Sequence, residues 1–245
     1  MDYKKVLEEL SKNVNFSKYD GFSREKKCHY IKYDNVDYAF IWQTVNPNNM
    51  KEFMKDLNEL KKRIDEAKVD GAKLPSILAI YTDKNHVFQL QEKVYGKKFE
   101  YIEILDEKTT VDDFIELLIT FDIMATHGID VNPGRNCMVD ENGHISIYDL
   151  VLAKEKNKVN ANPDFFKKLV FQEPDYFTEE NIEVLKRILE KWIQACVIYF
   201  KGRNLDRIDI ETETELTIRN YSFISIKDKK EMVNNVLNKS LQKVK

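Results

Sequence analysis

The residues best suited to chemistry lie between positions 127 and 150, HGIDVNPGRNCMVDENGHISIYDL. Three of its oxygen-bearing side chains, those of Asp130, Asn136 and Asp149, flank a segment predicted to form a β-hairpin. Carboxylate and amide oxygens are the ligands that a hard cation such as Mg²⁺ takes, and Mg²⁺ leaves room for phosphate oxygens. The residue types therefore indicate a magnesium site that can accept a phosphate group.

A hairpin over these residues would bring them together. Asn142-Gly143 is the strongest short signal for a two-residue type I′ turn, and apolar residues flank it on both sides. Such a turn sets a register in which Asn136 pairs with Asp149. We therefore expect these two residues opposite each other at the open end of the hairpin, with Asp130 entering through the preceding loop.

This arrangement resembles the catalytic segment of the protein-kinase-like superfamily, including its aminoglycoside- and choline-kinase-like relatives. The resemblance rests on His127, Asp130, Asn136 and Asp149. In that superfamily a His-x-Asp loop supplies the catalytic aspartate, a following asparagine binds one metal ion, and an aspartate after the next hairpin binds the bridging metal. The resemblance implies that Asp130 is catalytic, that Asn136 and Asp149 bind Mg²⁺, and that His127 supports the loop.

The upstream sequence has the order of elements that such a fold requires. Strands are predicted at 29–33 and 36–44, and again at 76–82 and 86–92, each pair joined by a turn rich in Asp and Asn. Between the pairs, a helix is predicted up to about residue 68, because apolar residues recur at helical spacing along one face.

The resemblance also assigns nucleotide contacts in this N-terminal part. Gly21 is all that corresponds to a Gly-rich phosphate loop, and Glu92-Lys93-Val94-Tyr95-Gly96 corresponds to the hinge whose backbone groups bind adenine. Ile41 stands where a phosphate-binding lysine is expected. Lys32 on the preceding strand is the predicted substitute, with Glu59 as its partner carboxylate on the helix.

The rest of the chain is predicted to be mainly helical. One helix spans Thr110–Thr126 with Thr109 or Thr110 as N-cap, and another runs from Thr178 to about Lys201. Asn162-Pro163 indicates a further helix start. A short β-like run, Leu216–Ile226, precedes a charged terminal helix that begins at about Lys227.

Together these elements predict an α+β chain with a bilobal protein-kinase-like fold. Residues 1–95 would form an N-lobe with a small antiparallel β-sheet and one helix. Residues 96–245 would form a mainly helical C-lobe that carries the catalytic-type loop and hairpin at 127–150. The resemblance places the nucleotide in the cleft between the lobes.

Composition restricts the partners and the compartment. A net charge of −3 gives no overall attraction to nucleic acid or to an anionic membrane. No stretch approaches the roughly 18–20 apolar residues of a membrane span, and the N-terminal residues do not resemble a signal peptide. Three cysteines, Cys28, Cys137 and Cys196, without a CxxC pair, are typical of reduced thiols. We predict a cytoplasmic protein, or an effector delivered into a host cytosol.

The function that the resemblance implies is ATP- and Mg²⁺-dependent phosphoryl transfer by an atypical bacterial kinase. The acceptor, a protein side chain or a small metabolite, stays open. Three alternatives also stay open: a pseudokinase that acts as a nucleotide-binding or protein-interaction scaffold, which Ile41 favours; a nucleotidyl (AMP) transferase on the same fold; and an ordinary polar turn at 127–150.

Overall fold

The structure is a computed structural model that describes residues 2–13, 15, 18–22, 26–98, 102–131, 136–153, 179–218 and 225–242. Its helices and antiparallel strands confirm the predicted α+β class. The chain divides into two compact units. Unit 1 contains Met1–Asp70 and Leu74–Val94, and unit 2 contains Gly71–Lys73 and Tyr95–Lys245.

Unit 1 is built on a five-stranded antiparallel sheet with strand order β1-β2-β3-β5-β4. The strands are β1 (Gly21–Phe22), β2 (Lys27–Tyr33), β3 (Val36–Thr44), β4 (Ile77–Asp83) and β5 (His86–Glu92). Both predicted strand pairs are confirmed. The two-residue turn between β2 and β3 has positive φ at both Asp34 and Asn35, 52° and 63°, which is the type I′ geometry that matches the twist of a hairpin.

Helix α1 (Tyr3–Asn13) covers one face of this sheet and was not predicted. Its Leu7 is fully buried in a cluster with Phe40, Trp42 and Phe88. The rings of Phe40 and Phe88 stack with centroids 5.9 Å apart. Helix α1 therefore completes the hydrophobic core of unit 1.

Helix α2 (Met50–Val69) confirms the predicted amphipathic helix. It begins after a short 3₁₀ turn, Pro47–Asn49, in which the Asn46 side chain accepts a hydrogen bond from the Asn48 amide at 3.0 Å. Its fully buried positions recur at helical spacing, and they are Leu57, Leu60, Ile64 and Ala67.

Unit 2 contains five helices among its described residues: α3 (Ile102–Glu107), α4 (Val111–His127), α5 (Glu179–Gly202), α6 (Arg207–Ile218) and α7 (Ile226–Gln242). It also contains the short strands β6 (Lys97–Lys98), β7 (Ile129–Val131), β8 (Cys137–Val139), β9 (Ile145–Ile147) and β10 (Leu150–Leu152). They form a three-stranded sheet of order β6-β8-β9 and a separate pair, β7 with β10.

The predicted helices at 110–126 and 178–201 are confirmed as α4 and α5. Thr110 is the N-cap of α4, and a reciprocal capping box joins it to Asp113. Phe114 of α4 packs edge-on against Trp192 of α5, with ring centroids 5.6 Å apart, and both side chains are fully buried. The α4–α5 contact therefore forms the central core of unit 2.

Helix α5 also secures the short helix α3. The Arg187 guanidinium forms an ion pair with Asp106. The Lys191 ammonium donates to the backbone carbonyls of Leu105, Asp106 and Thr109, which lie at the C-terminal end of α3 and just before α4. One lysine thus satisfies carbonyls that the end of a helix would leave without partners.

The predicted β-like run at 216–226 is wrong at both of its ends, 216–218 and Ile226, and residues 219–224 lie outside the described residues. Residues 207–218 form α6, and Ile226 already belongs to α7, whose predicted start near Lys227 is confirmed. Helix α6 buries Ile210 and Thr214, which lie one turn apart. Asp206 caps α6 by accepting from the Asp209 amide at 2.9 Å. The helix start predicted at 162–163 lies outside the described residues.

Gly96 connects the end of unit 1's last strand to β6 and needs to be glycine. Its φ is +125°, and a Cβ added there would lie 2.5 Å from the carbonyl oxygen of Val139 in β8. Neither the backbone angle nor the space allows a side chain.

Candidate functional site

The β8–β9 hairpin forms in a register one residue away from the predicted one. Cys137 pairs with Ile147 and Val139 with Ile145, so Asn136 lies opposite Tyr148 rather than Asp149. The Tyr148 amide donates to the Asn136 carbonyl at 2.9 Å. The predicted pairing of Asn136 with Asp149 is therefore wrong.

The reason for the shift is Asp140. Its carboxylate accepts hydrogen bonds from the amides of Asn142 at 2.8 Å and His144 at 3.0 Å, which closes a three-residue loop instead of a two-residue turn. Gly143 takes a φ of +94° in this loop, as the glycine of a three-residue hairpin does. Partial burial raises the pKa of Asp140, but the hydrogen bonds from His144 and Asn142 outweigh burial and lower it.

Asp149 leaves the hairpin with a φ of +55°, in the left-handed region that side-chain-bearing residues seldom occupy. Directly after it, β10 pairs with β7, so that Leu150 lies opposite Val131 and Val151 opposite Asp130. Asp149 therefore precedes the residue that faces Val131. The backbone brings Asp130 and Asp149 to the same end of one strand pair.

The other two predicted residues lie at the ends of neighbouring elements. His127 is the last residue of α4, and Gly128 ends the helix with a left-handed φ of 64°. The Gly128 carbonyl accepts from the Ala153 amide at 2.9 Å, which extends the β7–β10 pairing. Asn136 lies just before β8, opposite the neighbour of Asp149. All four residues thus belong to one small region of unit 2, linked by two strand pairs.

Lys32 does not neighbour Ile41, contrary to the prediction. In the sheet, Ile41 pairs with Cys28 and Lys32 pairs with Asp37. Four strand positions separate Lys32 from Cys28, which is about 13 Å at the rise of a strand. Exposed Lys32 therefore cannot occupy the place of a lysine at position 41.

Glu59 forms an ion pair with Arg63 of its own helix, with the carboxylate oxygen 2.7 Å from Nε. Residues four apart on a helix face each other, so this pair is local to α2. The pairing of Glu59 with Lys32 stays a prediction. Gly21 lies in β1, where it pairs with Cys28 of β2 at the edge of the sheet.

Glu92, the last residue of β5, is held by a network that sequence reasoning missed. Its carboxylate accepts from the Lys68 ammonium and from the Ser76 amide, each at 2.8 Å. Partial burial raises the pKa of Glu92, but these hydrogen bonds outweigh burial and lower it. The network secures the backbone just before Val94, where unit 1 ends.

Within the described residues, no group of three or more His, Cys, Asp and Glu side chains could hold a metal ion. The predicted site is of a different kind, since it combines two carboxylates with an amide.

Comparison of the chain with known protein families and with curated proteins finds no match. No helix in the described part of the chain is both long and apolar enough to cross a membrane.

Proposed function

We propose that this chain is an ATP- and Mg²⁺-dependent phosphotransferase with a bilobal protein-kinase-like fold. Asp130 orients the acceptor hydroxyl, and Asn136 and Asp149 bind the metal ion. The observation that carries the proposal is the left-handed backbone of Asp149, φ +55°, in a residue that is not glycine. Aspartate enters this region more readily than most residues do, and backbone in sparsely populated regions is frequent at functional sites.

The strand pairing supports the same assignment. Asp130 lies opposite Val151, two residues after Asp149, and Asn136 lies opposite Tyr148, one residue before it. Two strand pairs therefore converge on Asp149 from both sides. A metal site needs ligands held by rigid elements, and these pairs hold the backbone of all three residues.

The chemistry would depend on position and charge. Asn136 and Asp149 would hold a Mg²⁺ ion, which would supply positive charge to neutralise phosphate oxygens, and Asp130 would accept the proton of the attacking hydroxyl. Adenine would bind backbone groups of Glu92-Lys93-Val94. The acceptor is a protein side chain or a small metabolite, and we place the reaction in the cytoplasm.

The first test is a thermal-shift titration with ATP, with and without Mg²⁺, and with adenosine as control. A ligand present at 100 times its dissociation constant stabilises the folded state by about 2.7 kcal/mol. For a chain of this length that is a rise of about 5–10 °C in the unfolding midpoint. A rise that requires both ATP and Mg²⁺ supports the site, and its absence would refute it.

Asp149→Asn is expected to abolish the Mg²⁺-dependent rise with ATP while leaving the midpoint in EDTA within about 1 °C of the parent. Asparagine tolerates the left-handed region as aspartate does, so only the charge changes. Asp149→Ala should in addition lose about 1–2 kcal/mol of stability, because alanine at φ +55° is strained. Differential scanning fluorimetry measures both effects.

Glu141→Gln is the matched control, since it removes one negative charge from the exposed tip of the same hairpin. It should retain the full response to ATP and Mg²⁺. If Asp149→Asn responds like Glu141→Gln, then Asp149 does not bind the metal ion.

A second candidate function is a pseudokinase that binds nucleotide without transferring phosphate. Ile41 pairs with Gln89 in the sheet where a lysine is expected, and Glu59 is paired with Arg63. Both facts favour loss of the lysine–glutamate pair that orders the phosphates in active kinases. Incubation with γ-labelled ATP and candidate acceptors distinguishes the two, because a pseudokinase shows the thermal shift without transfer of label.

A further inference from the structure

The imidazole of His144 lies between two carboxylates that belong to different elements. Its Nδ1 is 3.2 Å from Asp140 in the β8–β9 loop, and its Nε2 is 3.9 Å from Asp113 in the first turn of α4. Asp113 is itself held, because it accepts hydrogen bonds from the Thr110 amide and hydroxyl at 2.7 and 2.6 Å. His144 thus bridges two carboxylates that other contacts already position.

The tip of the hairpin is packed against the residues just before α4. A Cβ added to Gly143 would lie 2.4 Å from the carbonyl carbon of Lys108. The buried Thr109 hydroxyl donates to the Gly143 carbonyl at 2.8 Å. This docking is what brings the His144 ring to the start of α4.

The charges around His144 are predominantly negative. Besides Asp140 and Asp113, Glu116 lies one turn further along α4 and also favours the protonated ring. The Lys73 ammonium lies 3.5 Å from Glu116 and offsets part of its charge. The hydrogen bond that the His144 ring donates to Asp140 is the largest contribution that raises the pKa of His144, followed by the charges of Asp140 and Asp113.

We propose that His144 is a protonation-dependent latch that fastens the tip of the β8–β9 hairpin to the N-terminal end of α4. With one proton, the imidazole has a single N–H and can donate to one carboxylate only. On taking a second proton from solvent it carries an N–H on both nitrogens: Nδ1 donates to Asp140 at 3.2 Å, and the positive charge attracts Asp113, 3.9 Å from Nε2. The contact between the hairpin tip and α4 is therefore stronger at low pH than at high pH.

The direction of the stability effect follows from linkage. Because folding raises the pKa of His144, its contribution to stability is complete below the unfolded value of about 6.5 and disappears as the pH rises through the folded value. The elements that the latch joins continue into the candidate site. Helix α4 leads to Asp130, and the hairpin lies between Asn136 and Asp149.

His144→Gln tests the latch, because glutamine retains a hydrogen-bond donor and does not titrate. We expect the variant to unfold about 1–3 °C below the parent at pH 5.5 and within about 0.5 °C of it at pH 8.5. Glu141→Gln, which removes a charge from the same loop without facing His144, should show no such change with pH. An equal deficit for His144→Gln at both pH values would overturn the proposal.

Titration of the His144 ring by NMR in the full chain supplies the independent measurement. The parent should titrate above about 6.5, and both Asp113→Asn and Asp140→Asn should lower the midpoint. If Asp113→Asn leaves the midpoint unchanged, the ring does not bridge the two elements and the latch does not exist. Neither measurement needs a nucleotide, so both stand whether or not the proposed function does.

Discussion

Gly96→Ala is expected to destabilise unit 2 by more than about 3 kcal/mol. Two costs add: a non-glycine residue at φ +125° is strained by about 1–3 kcal/mol, and its Cβ would meet the Val139 carbonyl oxygen at 2.5 Å. The obstacle is backbone of β8, which is itself paired with β6 and β9, so it cannot move aside at low cost.

The two tryptophans of the chain allow this effect to be localised. Trp42 is buried in unit 1 and Trp192 in unit 2, so a Trp42→Phe background reports on unit 2 alone. In that background, urea unfolding followed by Trp192 fluorescence should show the loss of stability.

Gly202→Ala is the matched control, since nothing lies within 4 Å of its added Cβ. At this helical position alanine should instead stabilise the protein by about 0.5–1 kcal/mol. If Gly96→Ala is as stable as its parent, the backbone of Gly96 does not lie against the Val139 carbonyl.

Leu7→Ala is expected to destabilise unit 1 by about 2–5 kcal/mol. The side chain is fully buried in the aromatic cluster beneath α1, and truncating it leaves a cavity that stacked rings cannot fill. Unfolding should be followed by Trp42 fluorescence in a Trp192→Phe background, because Trp42 belongs to the same cluster.

Lys4→Ala is the control for the α1 substitution, because Lys4 is exposed on the same helix. Its effect should stay within about 0.5 kcal/mol. If Leu7→Ala is equally mild, α1 does not pack on the sheet, and the strands of unit 1 must be stable without it.

Strands β2 to β5 of unit 1 and helices α2, α4 and α5 could be predicted because each has a strong local signal. Asp34-Asn35 marks a type I′ turn, and Thr110 marks a helix start. Helix α1 could not be predicted in the same way. A helix of 11 residues is marginal by itself, and its stability comes from Leu7 packing on a sheet formed by distant residues.

The hairpin register shows that hydrogen bonds from one side chain can override a strong turn signal in the sequence. Asn142-Gly143 predicts a two-residue turn, but Asp140 accepts two backbone hydrogen bonds and selects the longer loop. A shift of one residue reverses which side chains face the core, and buried Cys137 and Val139 require the observed register. The site residues were identified from their types and order, but their mutual placement depended on that loop.

The Lys191 contacts also bear on the order in which the chain can assemble. The β2–β3 and β4–β5 hairpins of unit 1 each close across a two-residue turn, whereas Lys191 reaches the Thr109 carbonyl from 82 positions away. Closing so long a loop carries a larger entropy cost and is slow. At ribosomal rates of about 5–20 residues per second, α5 follows Thr109 by roughly 4–16 s. During that interval Trp192 of α5, against which Phe114 packs, has not yet been synthesised. The region of the candidate site is therefore completed late in synthesis, after unit 1 has had time to fold.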